Sequence, residues 1–362
     1  MIDLRTYWHP LATGAELARG KPLARTLLGE PLVLFRDASG QVAALHDRCP
    51  HRHAPLSGGR VRNGELECPY HGWRFAADGC CVAVPGMALE KTGKPLLASF
   101  PCQLAHGLVW ACLVPDAGTP PPVAPAITAE VDHFFMTDTV NCTLQQAAEN
   151  FLDGFHTHFV HAGWIRRDNR RQQVQVSVHH LPDGVEARYS GEGLQAGLIS
   201  SLLEGDRQGS MGRFRLPGVA EIEYRGQHGL NLLVTAWLTP ESAGRLHIHA
   251  RVATRRGWLP GGLKRLFLRQ LFGVILRQDK QILEQTSRNT GHFREAGLET
   301  PVLDSRLDLL GLPSGNCWRA QRRRLRMAGQ RSAGFNERMI GLAPIFARTM
   351  RFLFRDASHD AA

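Results

Sequence analysis

The chain has 362 residues, of which 43% are hydrophobic and 21% are charged. This balance is that of a globular protein and excludes disorder as the main state of the chain. No window of about 18 apolar residues occurs, which excludes a transmembrane helix. The first residues lack a basic segment followed by an apolar one, so we expect no signal peptide and a cytoplasmic protein.

The chain is basic and rich in histidine. Its 43 Lys and Arg residues outnumber 33 Asp and Glu residues, which gives a net charge of +10, and the densest basic segment is 319–331. A basic surface suits nucleic acid, an acidic electron-transfer protein or an anionic membrane, and a solvated arginine-rich helix explains the segment equally well. Eight cysteines are too few for a disulfide scaffold, whereas 17 histidines indicate metal binding.

The first third of the chain is predicted to form short strands separated by turns. Three apolar segments lie between Gly, Asp and Pro residues: 31–35, 41–46 and 106–114. Four prolines in 116–126 cannot continue a helix or a central strand. We therefore predict a first domain at 1–118, a Pro-rich linker at 119–127 and a second domain at 128–362.

The second domain is predicted to combine an antiparallel sheet with helices. Helices are expected at 144–161, 263–286 and 337–354. Alternation of apolar and polar residues, typical of strands with one buried face, occurs in five segments: 174–180, 184–190, 220–226, 230–238 and 245–255. The predicted fold class is α+β: an all-β domain followed by an antiparallel sheet with helices over it, in a helix-grip-like arrangement.

Two short segments each pair one cysteine with one histidine. CPHRH places Cys49 and His51 two residues apart, and CPYHGW places Cys68 and His71 three residues apart. Zinc would accept these four ligands, but zinc fingers usually pair cysteine with cysteine and histidine with histidine. One ligand of each type in each loop favours a [2Fe–2S] cluster in which thiolates hold one iron and imidazoles hold the other.

This pattern resembles a Rieske [2Fe–2S] domain. The spacing, the proline after each cysteine and the Gly-Trp pair after His71 carry the resemblance. It implies that Cys49 and Cys68 bind one iron and that His51 and His71 bind the other. His53, two residues after His51, is expected to be a loop residue and not a ligand.

A second group of candidate ligands lies in ENFLDGFHTHFVH, residues 149–161. Asp153, His156 and His161 follow a D-x-x-H-x-x-x-x-H spacing. Two histidines and a carboxylate on one face of an iron leave positions open for dioxygen. Together with the first pattern, this motif resembles the catalytic domain of the Rieske non-haem iron oxygenases, from residue 7 to the predicted helix at 263–286.

Helix geometry alone does not choose among the histidines of this motif. His156 and His161 lie about 140° apart on an ideal helix, whereas His158 and His161 would share a face. The resemblance implies that His156 and His161 are the iron ligands and that the helix is broken between them. It leaves His158 a packing role and places Asn150 near the iron.

The resemblance implies a third iron ligand, a carboxylate on a late helix, and RQDKQILEQ at 277–285 fits that segment. Asp279 is the predicted ligand and Glu284 is its competitor. On a helix Asp279 shares a face with Ile282 and Leu283, which would turn it inward, while Glu284 would face water. A surface carboxylate in a weak ion pair is the alternative for Asp279.

For Asp153 the resemblance implies a role other than iron binding. The corresponding aspartate links a cluster-ligating histidine of one subunit to an iron-ligating histidine of the next, which implies a homotrimer. A carboxylate beside an imidazole N–H also fixes the tautomer of the ring. The sequence has no dinucleotide-binding glycine motif, so electrons are expected from a separate NAD(P)H-dependent reductase, directly or through a ferredoxin.

The resemblance implies the oxygenase component of a multicomponent Rieske system, with a [2Fe–2S] cluster and a mononuclear Fe(II). It would use O₂ to hydroxylate or oxidatively demethylate an apolar substrate that is aromatic or polycyclic. Insertion of one oxygen atom, by a monooxygenase, is favoured over insertion of two, by a dioxygenase. An aromatic-ring dioxygenase and an aromatic O- or N-demethylase are alternatives. A Rieske electron carrier and a zinc-dependent nucleic-acid-binding protein are alternatives from other classes. For the main interpretation we expect that the protein does not bind nucleic acid.

Apolar segments of the second domain give expectations about the substrate. The basic, amphipathic segments 257–276 and 339–354 are expected to pack on the sheet. The alternative is peripheral contact with a membrane, which would favour a substrate similar to a sterol or another terpenoid. Eight residues are candidate pocket walls: Leu198, Ile199, Leu202, Leu203, Leu230, Leu232, Val234 and Trp237.

Overall fold

The fold is described by a computed structural model for nine ranges of the chain: 3–17, 20–88, 91–115, 131–154, 156–167, 175–190, 197–204, 207–257 and 260–298. The predicted linker at 119–127, the basic segment 319–331 and the predicted helix at 337–354 lie outside these ranges. Among the helices of the described residues, none combines the length and apolar character that crossing a bilayer requires.

The N-terminal part consists of small antiparallel sheets. Its strands are β1 His9–Thr13, β2 Leu23–Leu27, β3 Glu30–Arg36, β4 Val42–His46, β5 Arg60–Arg62, β6 Glu65–Glu67, β7 Arg74–Phe75, β8 Cys81–Ala83, β9 Ser99–Phe100, β10 Cys102–Ala105 and β11 Leu108–Ala111. The strand orders are β1-β11-β10, β2-β3-β4-β9 and β5-β6-β7-β8. The three strands predicted here from the sequence correspond to β3, β4 and β11.

Strand β3 serves two apolar cores because successive side chains of a strand point to opposite faces. Leu32 and Leu34 pack into one core, and Val33 and Phe35 pack into the other. The second of these cores also contains both cysteines of the Cys/His motifs. The motif loops are therefore anchored in the interior through their cysteines.

The C-terminal part is a seven-stranded antiparallel sheet of order β12-β18-β17-β16-β15-β14-β13. Its strands are β12 Val131–Val140, β13 Gln175–Leu181, β14 Gly184–Ser190, β15 Arg207–Arg215, β16 Val219–Gly226, β17 Gly229–Ser242 and β18 Arg245–Arg255. The helices are α1 Leu144–Leu152, α2 Leu198–Leu203 and α3 Gly261–Glu295. The predicted α+β class, with helices over an antiparallel sheet, is confirmed.

Helices α1 and α3 cover one face of this sheet. Ala148 of α1 and Leu283 of α3 pack with Ala236 and Leu238 of β17. Nearer the start of α3, four apolar residues of the predicted 257–276 segment pack against β12, β17 and β18: Leu268, Leu271, Phe272 and Ile275. These contacts fix the long helix over the sheet at the level where it carries Asp279.

The opposite face of the sheet contacts the N-terminal part. Trp237 of β17 packs edge-on against Trp110 of β11, with ring centroids 6.2 Å apart. The Thr239 hydroxyl donates to the Pro10 carbonyl at 2.8 Å. Trp237 is therefore not a pocket wall. Leu198 and Leu202 of the predicted pocket walls lie at the surface of α2, with 46% and 52% of their surfaces exposed.

Three sequence-based expectations about elements need correction. The helix predicted at 144–161 ends at Leu152, and the helix predicted at 263–286 extends over Gly261–Glu295. Strands β12 and β15 and the short helix α2 were not predicted. Ile282, expected to face inward beside Asp279, is 37% exposed.

Candidate metal centres

Two loops of the same construction carry the Cys/His motifs. In the first, the Cys49 N–H donates to the Ala54 carbonyl at 2.9 Å and the His53 N–H donates to the Cys49 carbonyl at 2.8 Å. The second loop repeats both bonds at the equivalent positions, at 2.8 and 3.1 Å. His53 and its equivalent, Gly72, both have positive φ, +59° and +70°. His53 thus occupies the turn position of its loop, as a loop residue would.

The four candidate cluster ligands separate into a buried pair and an exposed pair. Cys49 and Cys68 are 2% and 3% exposed, and burial raises the pKa of the Cys49 thiol. The rings of His51 and His71 lie at the surface with centroids 4.7 Å apart. This asymmetry fits a cluster with a thiolate-bound iron inside and an imidazole-bound iron outside.

The same four side chains do not converge on one ion. Within the described part of the chain, one group of three or more His, Cys, Asp or Glu residues has its ligand atoms within 4.8 Å of one another, and it consists of His156, His161 and Asp279. A single zinc ion bound by the two Cys/His loops would require their ligand atoms to lie equally close to one another. The loops therefore fit a two-iron cluster better than a mononuclear zinc site.

The second centre brings together two imidazoles and one carboxylate. Nε2 of His156 lies 3.2 Å from Nε2 of His161, and Oδ1 of Asp279 lies 3.4 Å and 3.1 Å from these two atoms. Donors that bind one ion at about 2.1 Å and at right angles to one another are about 3 Å apart. The three atoms therefore have the spacing of neighbouring ligands on one face of a metal ion.

Local structure explains how these residues meet. Helix α1 begins at a capping box of Thr143 and Gln146 and ends at Leu152, and the extended backbone of the following residue, Asp153 (φ −76°, ψ 111°), leads the chain out of the helix. His156 lies in a following 3-10 turn. The α-helix thus ends before His156, and the 3-10 turn ends at His158, so the expected interruption between His156 and His161 is present as well. Asp279 comes from the middle of α3.

Each imidazole of the second centre is held through its other nitrogen. Nδ1 of His156 lies 2.6 Å from the main-chain carbonyl oxygen of Asp153, and Nδ1 of His161 lies 2.9 Å from Oε1 of Gln278. An N–H on Nδ1 leaves the lone pair of Nε2 for a metal. Gln278 was not among the predicted site residues, because nothing in the sequence distinguishes it from the other glutamines of α3.

Charge and hydrogen bonding shift the pKa values at this centre. Burial alone would raise the pKa of Asp279, but hydrogen bonds from His156 and His161 outweigh it and hold the carboxyl well below its ordinary value. Burial alone would lower the pKa of His156, but Asp279 raises it above the ordinary 6.5. The site therefore presents a permanent carboxylate to an ion.

Two further predicted site residues lie at the second centre. Asn150 donates from Nδ2 to Oδ1 of Asp279 at 2.9 Å, so it contacts the carboxylate of the group. The Asp153 carboxylate lies 4.0 Å from Nδ1 of His156, further than its own main-chain carbonyl. The structure thus places both residues beside the three converging side chains.

The two competing residues occupy other places. Glu284 accepts hydrogen bonds from the main-chain N–H and the side-chain amide of Asn141, both at 3.1 Å. It therefore links α3 to the segment before α1 at an exposed place on the protein and does not belong to the converging group. His158 is buried, and its Nδ1 lies 3.1 Å from the Arg167 carbonyl oxygen, which suits a packing role.

Comparison with known proteins gives the same division of the chain. The family model of the Rieske [2Fe–2S] domain matches residues 7–101, and that of the vanillate O-demethylase oxygenase C-terminal domain matches residues 140–322. The chain is 28% identical over 324 residues to the vanillate O-demethylase oxygenase subunit of Pseudomonas sp., covering 80% of this chain and 88% of that protein. The two family models together match most of the residues that the structure describes.

A second relative and a solved structure agree. The oxygenase component of dicamba O-demethylase from Stenotrophomonas maltophilia is 38% identical over 172 residues, which are 46% of this chain and half of that protein. The fold matches the crystal structure of dicamba monooxygenase bound to dicamba with a TM-score of 0.70 at 24% identity, over 84% of this chain and 93% of that one. The chain belongs to the Rieske non-haem iron oxygenases.

Proposed function

We propose that this chain is the terminal oxygenase component of a multicomponent Rieske system. It would use O₂ and electrons from a separate NAD(P)H-dependent reductase, directly or through a ferredoxin, to hydroxylate or oxidatively demethylate a small apolar molecule. The observation that carries this proposal is the meeting of His156, His161 and Asp279 donor atoms 3.1–3.4 Å apart. The alternatives from other protein classes do not account for that second centre.

The residues divide between two metal groups. In this proposal Cys49, Cys68, His51 and His71 hold the [2Fe–2S] cluster, and the group of His156, His161 and Asp279 holds Fe(II). When bound, these groups supply one-electron transfer and dioxygen activation.

The protein's own part at the second centre is to fix geometry and charge. The carbonyl of Asp153 holds the His156 ring, and Asn150 holds the Asp279 carboxylate. Two neutral imidazoles and one carboxylate leave a divalent ion with a net positive charge. We also propose that the Asp153 carboxylate connects this centre to the cluster of a neighbouring copy in a homotrimer, as in the family.

A demethylation reaction on an aromatic compound is the substrate hypothesis that the relatives support best. The vanillate and dicamba relatives are both named as O-demethylases. Trp164 and Ile165, which follow His161, pack in an apolar cluster with Ile199 and Leu232. A small apolar ring suits such surroundings. A sterol-like substrate and membrane contact gain no support from these relatives, and the buried part of the 257–276 segment fits packing on the sheet.

Replacement of one proposed iron ligand tests the function. The His156→Ala chain should keep the visible absorption and the electron paramagnetic resonance (EPR) signal of the cluster. It should lose at least about 100-fold in formaldehyde release from a panel of methoxybenzoates and N-methylxanthines, because the second centre lacks a ligand. The matched control is His158→Gln, two residues away, which should retain turnover. Unchanged turnover in His156→Ala would refute the assignment.

A further inference from the structure

Gln278 is a neighbour of the proposed iron ligand Asp279 in sequence, but its side chain acts on another ligand. Its Oε1 lies 2.9 Å from Nδ1 of His161. His161 is 1% exposed, so water does not replace this contact at the ring. An amide oxygen can only accept a hydrogen bond, so the proton of the neutral ring lies on Nδ1 and the lone pair lies on Nε2.

This arrangement differs between the two histidines. His156 donates to a main-chain carbonyl, that of Asp153, which no substitution removes. His161 depends on one side chain, and that side chain is carried by the same helix as Asp279. One turn of α3 therefore sets both the carboxylate and the ring of a second ligand, so that a displacement of α3 would move both donors together.

We propose that Gln278 is a positioning residue that fixes the tautomer and the ring orientation of His161 and so sets the metal affinity of the second centre. The proposal rests on the iron site proposed above. Partners of this kind are expected to matter, since loss of a hydrogen-bond acceptor behind a metal-binding histidine typically weakens metal binding about 10–100-fold.

The choice of a neutral amide has its own consequence. A carboxylate at this position would accept the same hydrogen bond and add a second negative charge, which makes the imidazole a stronger ligand. Glutamine gives the orientation without that charge. When a metal is bound and both imidazoles are neutral, Asp279 then supplies the negative charge of the group formed by His156, His161, Gln278 and Asp279, and the net charge on a bound divalent ion stays positive.

The test compares substitutions of equal size at one position. Co(II) binding to the cluster-containing chain is measured anaerobically by equilibrium dialysis and by the EPR signal of bound high-spin Co(II). Gln278→Leu should weaken binding about 10–100-fold and change the EPR signal. Gln278→Glu should bind at least as tightly as the unaltered chain. The control Gln281→Leu, at an exposed position on the same helix, should change neither.

The outcomes separate this proposal from the proposed function. Unchanged Co(II) affinity in Gln278→Leu, or equal weakening in Gln278→Glu, overturns the role of Gln278 while His156→Ala still abolishes binding. Retained binding in His156→Ala overturns the metal site itself. If Gln278→Leu does not fold, Gln278→Asn takes its place: its amide is one methylene too short to reach His161, and it should weaken binding in the same way.

Discussion

At the scale of single residues, Asp279 governs the electrostatics of the second centre. Its Oδ1 faces Nε2 of both His156 and His161 and accepts a hydrogen bond from Asn150. The low pKa of Asp279 and the raised pKa of His156 have the same origin, since each charge favours the other. In the metal-free protein, a proton on His156 therefore competes with a metal for Nε2.

This competition predicts how metal binding depends on pH. Because the pKa of His156 lies above 6.5, lowering the pH should weaken Co(II) binding from a higher pH than an ordinary histidine would require. Asp279 stays ionised throughout, since its pKa is depressed. Co(II) affinity of the cluster-containing chain, measured between about pH 8.5 and 5.5, should fall steadily toward acid.

The Asp279→Asn chain provides the control for this pH dependence. Removal of the carboxylate takes away the interaction that raises the pKa of His156. Binding should become weaker at every pH, and the remaining pH dependence should move toward lower pH. A pH profile that is the same in both chains would show that the proton on His156 is not held by Asp279.

The donor residues could be predicted from the sequence, but their supporting contacts could not. Spacing and family resemblance predict His156 and His161, whereas Asp279 is predicted from the late helix that the resemblance implies and from its place on the inward face of that helix. The contact of Gln278 with His161 joins residues 117 positions apart. Such a contact depends on the rotation of α3 over the sheet, which no local pattern encodes.

At the scale of elements, the two helices that carry the second centre are tied together at one end. Glu284 of α3 accepts two hydrogen bonds from Asn141, just before α1. Lys280 of α3 also pairs with Asp138 of β12 at 2.8 Å. These contacts set the position of α3 along its axis, and with it the position of Asp279 relative to the turn after α1.

Removal of the hydrogen bonds between Asn141 and Glu284 should affect both the stability of the protein and its metal binding. Glu284→Ala should lower the free energy of unfolding by about 1 kcal/mol, a small value because Asn141 is exposed. It should also weaken Co(II) binding several-fold, since α3 can then shift against α1. Gln285→Ala, at the exposed next position, should leave both unchanged. Loss of stability without loss of Co(II) affinity would contradict the coupling.

Element boundaries were predicted less well than element types, for identifiable reasons. Helical periodicity continues through His161, but Asp153 adopts an extended backbone and ends α1 early. Strand β15 is not predicted from the sequence because its inward positions 210, 212 and 214 are Ser, Gly and Phe, so that only Phe214 marks an apolar face and no alternation of apolar and polar residues is visible.

At the scale of the whole molecule, the N-terminal sheets and the seven-stranded sheet share a buried contact. Trp237 packs with Trp110, Leu108 and Trp8 in one apolar cluster. Two-residue periodicity could not assign Trp237 to a face, because strand β17 is apolar on both sides. One face of β17 packs against α1 and α3, and the other face packs against the N-terminal part.

This contact should determine whether the two parts unfold together. Trp237→Ala removes a side chain that is 4% exposed and should destabilise the protein by about 3–5 kcal/mol. The sheets would then keep smaller contacts, such as the packing of Phe135 and Val219 on the same cluster and the hydrogen bond from Thr239 to Pro10. Heating should give coincident losses of far-ultraviolet circular dichroism and cluster absorption in the unaltered chain, and separate losses in Trp237→Ala.

A tryptophan on the other face of the sheet distinguishes this effect from general destabilisation. Trp164 packs with the apolar residues of α3 and β17, away from the N-terminal part. Trp164→Ala should lower the unfolding temperature while the two signals still change together. Coincident transitions in Trp237→Ala as well would mean that the remaining contacts keep the cluster-bearing sheets and the catalytic sheet in one cooperative unit.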